Sequence, residues 1–206
     1  MGIPRFFGII IEKYANTHFW DPNLKIDHLF IDFNSVVYNC YHAIDMSKYK
    51  NANETKIDNK IIAEVLKYLK HLISDVTKPL KSVYIAIDGP APRAKMVQQR
   101  MRRFKGILER KMTEELKKKH NILETKSWDK TKISPGTKFM LKLSDNIKKQ
   151  IKAGYFTEYT DNKINIVLSD ANVAGEGEHK YMNVIRSLDK TDPSDSVCVY
   201  SPDADV

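Results

Sequence analysis

Four short runs of β-branched and aromatic residues, each stopping at or shortly before an acid, constrain this chain more than any other feature of its 206 residues. They are Leu29-Phe30-Ile31, Val83 to Ile87, Ile164 to Leu168 and Ser196 to Tyr200. Runs of this length and composition, bounded by turn residues, predict buried strands. Helical periodicity fills the gaps between them. Ile61, Ile62, Val65, Leu66, Leu69 and Ile73 form one stripe over Ile57 to Val76. Phe139, Met140, Leu143, Ile147 and Ile151 do the same after Pro135-Gly136-Thr137, with Gly154 as a C-terminal stop. Further helices are predicted over Pro4 to Tyr14, after an Asn34 cap through Val36, Val37 and Cys40, from Arg93 to about Lys119, and from Glu178 to Leu188. Residues 44–56 read as a loop and 120–134 as irregular. Strands alternating with helices predict an α/β fold, a mostly parallel twisted sheet with helices on both faces and right-handed crossovers. No repeat or linker divides residues 1–206, so they read as one piece without an internal boundary. A parallel sheet wants both faces covered, and nothing after Val206 covers the last strand, so an incomplete domain is expected.

Ligands of open α/β sheets gather beyond the carboxyl ends of the strands. There the chain places Asp32 after the first strand and Asp88 after the second. The third strand and its loop lead to Glu176 and Glu178, the fourth to Asp203 and Asp205. One such acid is commonly a helix cap or turn residue. Four strands that all deliver acid, two of them in pairs, predict a shared rim. Six carboxylates on one rim repel one another and demand cations. Oxygen donors without a CxxC motif or clustered histidines select Mg²⁺ or Mn²⁺. Two such ions, about 4 Å apart, suit an in-line phosphoryl displacement. The glycines of Gly175-Glu176-Gly177-Glu178 let the backbone pass close to such a site, and the helix start favours the two glutamates. His179 reads as a structural neighbour rather than a ligand.

A basic partner to that rim follows the second strand. Arg93 to Lys119 holds five arginines and six lysines against three glutamates, an excess of eight that matches the net charge of the whole chain. Such a balance points to a polyanion. Lys117-Lys118-Lys119 reads as a solvated helix end, whereas Phe104, Ile107 and Leu108 are expected to pack beside Arg102 and Arg103. Lys95, Gln99, Arg102 and Arg103 fall on one helical face. They are expected to form a closed pocket for a terminal phosphate, with bidentate arginine contacts. Cleavage would then proceed stepwise from that end. Only Cys40 and Cys198 are present, which points to an intracellular, reducing compartment, the cytoplasm ahead of the nucleus. No apolar run is long enough to span a membrane.

The motifs resemble the N-terminal part of the Xrn family of 5′→3′ exoribonucleases. The matching stretches are Met1 to Phe7 (MGIPRFF), Asp32-Phe33-Asn34, Ile87 to Met96 (IDGPAPRAKM) and Gln98 to Phe104 (QQRMRRF). Ser134 to Thr137 (SPGT), Gly175 to Lys180 (GEGEHK) and Asp203-Ala204-Asp205 complete the set, in family order. The resemblance implies a fold like that of PIN and flap nucleases. It implies that Asp32, Asp88, Glu176, Glu178, Asp203 and Asp205 are metal-binding catalytic acids. It also implies that Lys95, Gln99, Arg102 and Arg103 bind the 5′-monophosphate of single-stranded RNA and exclude a cap. Tyr38 stands where the family usually has a histidine that stacks on the 5′-terminal base. Family members run several hundred residues further, with another metal-binding Asp and a second stacking wall. The rest of the catalytic domain is therefore expected from a longer chain or a partner. The function implied is metal-dependent degradation of 5′-monophosphorylated RNA to mononucleotides. A structure-specific DNA flap endonuclease and a non-catalytic RNA-binding fragment are the alternatives. QQRMRRF and GEGEHK argue against the first.

Overall fold

A computed structural model describes residues 6–14, 24–49, 52–122, 128–160 and 162–201. Its elements are helix α1 (Phe6–Lys13), strand β1 (His28–Asp32), α2 (Phe33–Ala43), α3 (Glu54–Lys70), β2 (Ser82–Ala86), α4 (Arg93–Lys119), α5 (Lys138–Lys152), β3 (Asn165–Ser169), α6 (Gly177–Thr191) and β4 (Val197–Tyr200). Pro4 and the side chains of Phe6 and Phe7, expected to start and cover the first helix, lie outside the described residues.

The four strands form one all-parallel sheet in the order β3-β2-β1-β4. Side-chain alternation splits it into two faces. Leu29 and Ile31 of β1 and Val83 and Ile85 of β2 are fully buried against α2, α3 and α5 in the main core. Burying each such side chain contributes roughly 1.5–3 kcal/mol. Phe30, Tyr84 and Ala86 face the other way and pack with Tyr181, Val184, Ile185 and Leu188 of α6. That helix covers only the middle of its face. Val167 on β3 and Val197 and Val199 on β4 remain about 40% exposed on the same side (39%, 42% and 41%). The sheet is thus covered on one face and half-covered on the other.

Three local expectations are corrected. Residues 44–56 are not all loop: Met46–Tyr49 makes a 3₁₀ turn, and α3 begins at Glu54 because the Asn53 side chain caps it, accepting from Lys56 N at 2.9 Å. The stripe over Ile57 to Val76 does not form one α-helix, since His71–Thr77 widens into a π-helical turn. Asn34 does not cap α2. It lies inside the first turn, after Asp32 at the cap, and its side chain reaches Asp88 instead. The helix after Pro135-Gly136-Thr137 forms as expected, with Thr137 as its cap, and Gly154 adopts φ +72° just past its end.

Candidate functional site

The strand order reverses direction at β1: the chain steps outward from β1 through β2 to β3, then crosses back to place β4 on the other side. Crevices at such a switch point are the ligand sites of open α/β sheets. Here a cleft of about 800 Å³ opens beyond the strand ends. It is lined by Asp32, Asp88, Glu176 and Glu178, by Lys95, Gln99, Arg102 and Arg103, and by Tyr38. Nine of the eleven predicted site residues therefore meet in one place. Asp203 and Asp205 lie outside the described residues.

Each acid has its own support. Asp32 ends β1, is buried, and accepts from Ser201 Oγ at 3.0 Å, which ties it to the end of β4. Asp88 is gripped from two sides: Asn34 Nδ2 donates to Oδ2 at 2.9 Å, and the Gly177 amide donates to Oδ1 at 2.7 Å. Glu176 is the buried N-cap residue of α6. Its carboxylate sits 3.3 Å from Lys95 Nζ, and its Oε1 has no hydrogen-bond partner. Glu178 stands in the first turn of α6, exposed to the cleft. His179 is exposed and lies 4.0 Å from Glu176.

Close backbone approach makes this geometry possible. A Cβ on Gly177 would lie 3.4 Å from Asp88 Oδ1 and 3.5 Å from Asp32 Oδ1, so the helix start wedges between the two aspartates. A Cβ on Gly89 would lie 1.8 Å from Val173 O, so the loop after β2 and the loop after β3 touch backbone to backbone. Gly89 N donates to Gly175 O at 2.9 Å, and Gly175 N to Pro90 O at 3.0 Å. Lys180 locks the same junction. It is buried, and its Nζ donates to Ile87 O at 2.6 Å and Asp170 O at 3.0 Å. Burial pulls its ammonium below the ordinary lysine value, with Asp88 and Asp170 opposing.

The four described acids share a cleft; among the described residues no three His, Cys, Asp or Glu side chains stand close enough to cage an ion, and Asp203 and Asp205, which the expected six-acid rim includes, lie outside them. The protein's own donors engage the described acids: Ser201 meets Asp32, Asn34 and the Gly177 amide meet Asp88, and Lys95 meets Glu176. The phosphate pocket is not closed as expected. Lys95 and Gln99 are half-buried, but Arg102 and Arg103 are exposed along an open wall. Phe104, Ile107 and Leu108 do not pack beside them. They are 69%, 39% and 51% exposed, because α4 projects from the sheet and buries none of its residues.

Tyr38, on α2, is partly exposed in the cleft, 37% by area. Burial raises its hydroxyl pKa, Arg103 counters and Asp88 adds to the rise, which places the phenol between the basic wall and the acids. Residues that had no site role in the sequence reading also belong here. Asn34 orients Asp88, Lys180 fastens the loops, and Arg110 and Lys130 extend the basic wall. Asp170, by contrast, is engaged by Lys148 at 2.6 Å and does not line the cleft.

The residues fit divalent ions on three counts. The donors are all oxygen, Glu176 Oε1 is buried without a hydrogen bond and has Lys95 at ion-pair distance, and Gly177 keeps open the space that a side chain would fill between Asp32 and Asp88.

Comparison with known proteins gives the site its context. The family profile described as XRN 5'-3' exonuclease N-terminus matches residues 1–206. The chain is 36% identical over 214 residues to 5'-3' exoribonuclease 1 of Saccharomyces cerevisiae, covering all of this chain and 14% of that protein. It is 33% identical over 243 residues to 5'-3' exoribonuclease 2 of Kluyveromyces lactis, again over the whole chain and 24% of the relative. Human 5'-3' exoribonuclease 1 is 33% identical over 214 residues, all of this chain and 12% of the human protein. The chain thus spans a quarter or less of these curated relatives.

Proposed function

Because the chain belongs to the XRN 5'-3' exonuclease N-terminus family, we propose that it is the N-terminal catalytic part of a 5′→3′ exoribonuclease. Its substrate is single-stranded RNA with a 5′-monophosphate, shortened stepwise to mononucleotides. The observation that carries this reading is the single cleft in which Asp32, Asp88, Glu176 and Glu178 face Lys95, Gln99, Arg102, Arg103 and Tyr38. A cleft with acids at one end and a cationic wall beside them suits a phosphodiester at the first and a terminal phosphate at the second.

Mg²⁺ or Mn²⁺ would be held by Asp32, Asp88, Glu176 and Glu178, with Asp203 and Asp205 completing the set in a two-ion site. When bound, such ions supply a water nucleophile at neutral pH and neutralise charge on the leaving oxygen. The chain's own residues do the rest. Arg102 and Arg103 provide forked donors for the 5′-phosphate, and Gln99 a neutral one. Lys95 stands between phosphate wall and acids, within 3.3 Å of Glu176. Tyr38 stacks on the terminal base, and Asn34 holds Asp88 in its working orientation through the 2.9 Å contact. The second base wall and a further acid come from a longer chain or a partner. The compartment is intracellular and reducing. Burial raises both thiols, Cys40 to about 11, which keeps them protonated and unreactive. Among the described residues no helix is long and apolar enough to cross a membrane.

The test is Mg²⁺-dependent release of mononucleotides from 5′-monophosphorylated RNA, compared with capped RNA and with a DNA flap. Equal degradation of phosphorylated and capped RNA would refute the phosphate assignment. Full activity in Asp88→Ala or Glu178→Ala would refute the metal assignment. Salt-sensitive RNA binding without turnover, with Mn²⁺ present, would leave only the non-catalytic module.

A further inference from the structure

Helix α4 carries a second surface that the cleft does not use. Val97, Met101, Phe104, Leu108 and Met112 are all 50–70% exposed (60%, 66%, 69%, 51% and 56%). On a helix of 3.6 residues per turn these five fall within an arc of about 80°, over a length of about 22 Å. Lys95, Gln99, Arg102 and Arg103, which line the cleft, fall on the opposite side of the same cylinder. The apolar line is therefore not the back of the binding wall leaning on the core, for the helix buries no residue at all.

Width and charge say what would cover it. Met96, Ile107 and Leu116 of the same helix are exposed too, but they fall beyond the charged flanks. The band between the flanks is narrow, the seam of a helix–helix contact, whereas a helix lying in a lipid surface needs an unbroken apolar half. Glu115 lies in line with the seam one turn past Met112, and ends it. One flank is formed by Arg93, Arg100, Lys111 and Lys118, which fall within about 20° of each other. Lys105, paired with Glu109 at 3.7 Å, stands on the other flank, so the excess of cations lies on the first. Seam-flanking charges set partner choice in paired helices. A cationic flank repels a second copy of itself and attracts acid.

We propose that this face of α4 docks an amphipathic helix of a partner protein, one with an apolar seam flanked by glutamate or aspartate. The inference does not rest on the nuclease reading, since it uses none of the cleft residues. Docking there leaves the cleft open, and it stiffens the helix that carries the phosphate wall.

The test uses the chain as it stands and a synthetic helical peptide, leucine along one face and glutamate on both flanks. A control peptide has lysine in place of glutamate. Binding is read by fluorescence anisotropy over a salt series, with phosphatidylserine vesicles and sedimentation equilibrium as further arms. The glutamate peptide is expected to bind saturably, at least about tenfold tighter than the lysine peptide, and more weakly as salt rises. The double variant Phe104→Ser, Leu108→Ser is expected to weaken it about tenfold, because it removes the central anchors. The charge reversal Arg100→Glu, Lys111→Glu weakens it without touching the seam, which covers the case of a misfolded serine variant. Equal binding of the two peptides, or no binding, would overturn the proposal. So would binding confined to vesicles, or self-association that the serine variant abolishes.

Discussion

Under the proposed reading, Gly177→Ala separates stability from ion binding at this site. The added Cβ would lie 3.2 Å from Ala86 O, 3.4 Å from Asp88 Oδ1 and 3.5 Å from Asp32 Oδ1. The first contact is tight, and the other two are ordinary van der Waals distances. Gly177 is not in the left-handed region, so alanine meets no backbone strain there. Overpacking costs roughly 1–3 kcal/mol, near the low end when a neighbour yields by only tenths of an ångström. Gly177 is the first residue of α6, so alanine returns only part of the roughly 1 kcal/mol it would gain in a helix interior. The net change is within about 1 kcal/mol, a shift in Tm of roughly 2–4 °C for a chain of this size. Ion binding is another matter, because the methyl stands against both aspartate oxygens and blocks the space they share. A loss of at least about tenfold in Mn²⁺ affinity is expected. At a Mn²⁺ concentration 100 times the parent Kd, bound ion stabilises the parent by about 2.7 kcal/mol, and a tenfold weaker variant by about 1.4 kcal/mol. The Mn²⁺-dependent rise in Tm should therefore roughly halve in a calorimetric scan. An unchanged rise, with the apo Tm also unchanged, would refute the shared site.

Lys180→Met strands two carbonyls, those of Ile87 and Asp170, that the buried ammonium now satisfies. A cost of about 2–4 kcal/mol is expected, read as a lower urea midpoint at constant slope. Burial lowers the Lys180 pKa from 10.5, so the folded state binds that proton less tightly than the unfolded chain. Stability should rise with pH in the alkaline range just below that value, and the methionine variant should lose this rise. On the acid side, Lys81 and then His28 hold Asp195 below 3.8, Lys148 does so for Asp170, and Ser196 for Asp27. Their folded pKa values lie under the unfolded one. The stabilisation is complete above about pH 4 and is lost as pH falls through the depressed values, and Asp195→Asn should flatten that part of a urea-midpoint profile. Lys95→Met leaves Glu176 without its cation: the apo Tm should fall while the Mn²⁺-dependent rise grows, and a smaller rise would contradict the placement of Glu176 among the ion ligands.

The alternation of strands and helices was legible because period-two and period-3.6 patterns are local, and β1 and β2 bury the residues their runs announced. Strand-end acids were legible for the same reason, since the end of a strand fixes where Asp32 and Asp88 stand whatever lies around them. What surrounds those acids was not legible. Asn34 looks like a helix cap from its neighbours alone, yet Asp88, 54 residues on, offers it a stronger partner. Lys180 reads as one more surface lysine in a basic chain, and only the meeting of two loops turns it inward. Phe104 and Leu108 show the opposite failure. Periodicity marks a face as apolar, but coverage depends on what the rest of the fold brings up to it, and the sheet brings nothing to α4.

Lys95 links the two halves of the cleft through a single contact. It faces Glu176 at 3.3 Å, and it belongs to the same helical row as Gln99, Arg102 and Arg103. Under the proposed reading, a 5′-phosphate draws the ammonium toward the wall, and Glu176, whose two oxygens both lie 3.3 Å from Lys95 Nζ, is then left as a buried carboxylate without its cation. Such a group demands a cation. Phosphate and divalent ion therefore help one another bind, and by linkage each strengthens the other by the same factor.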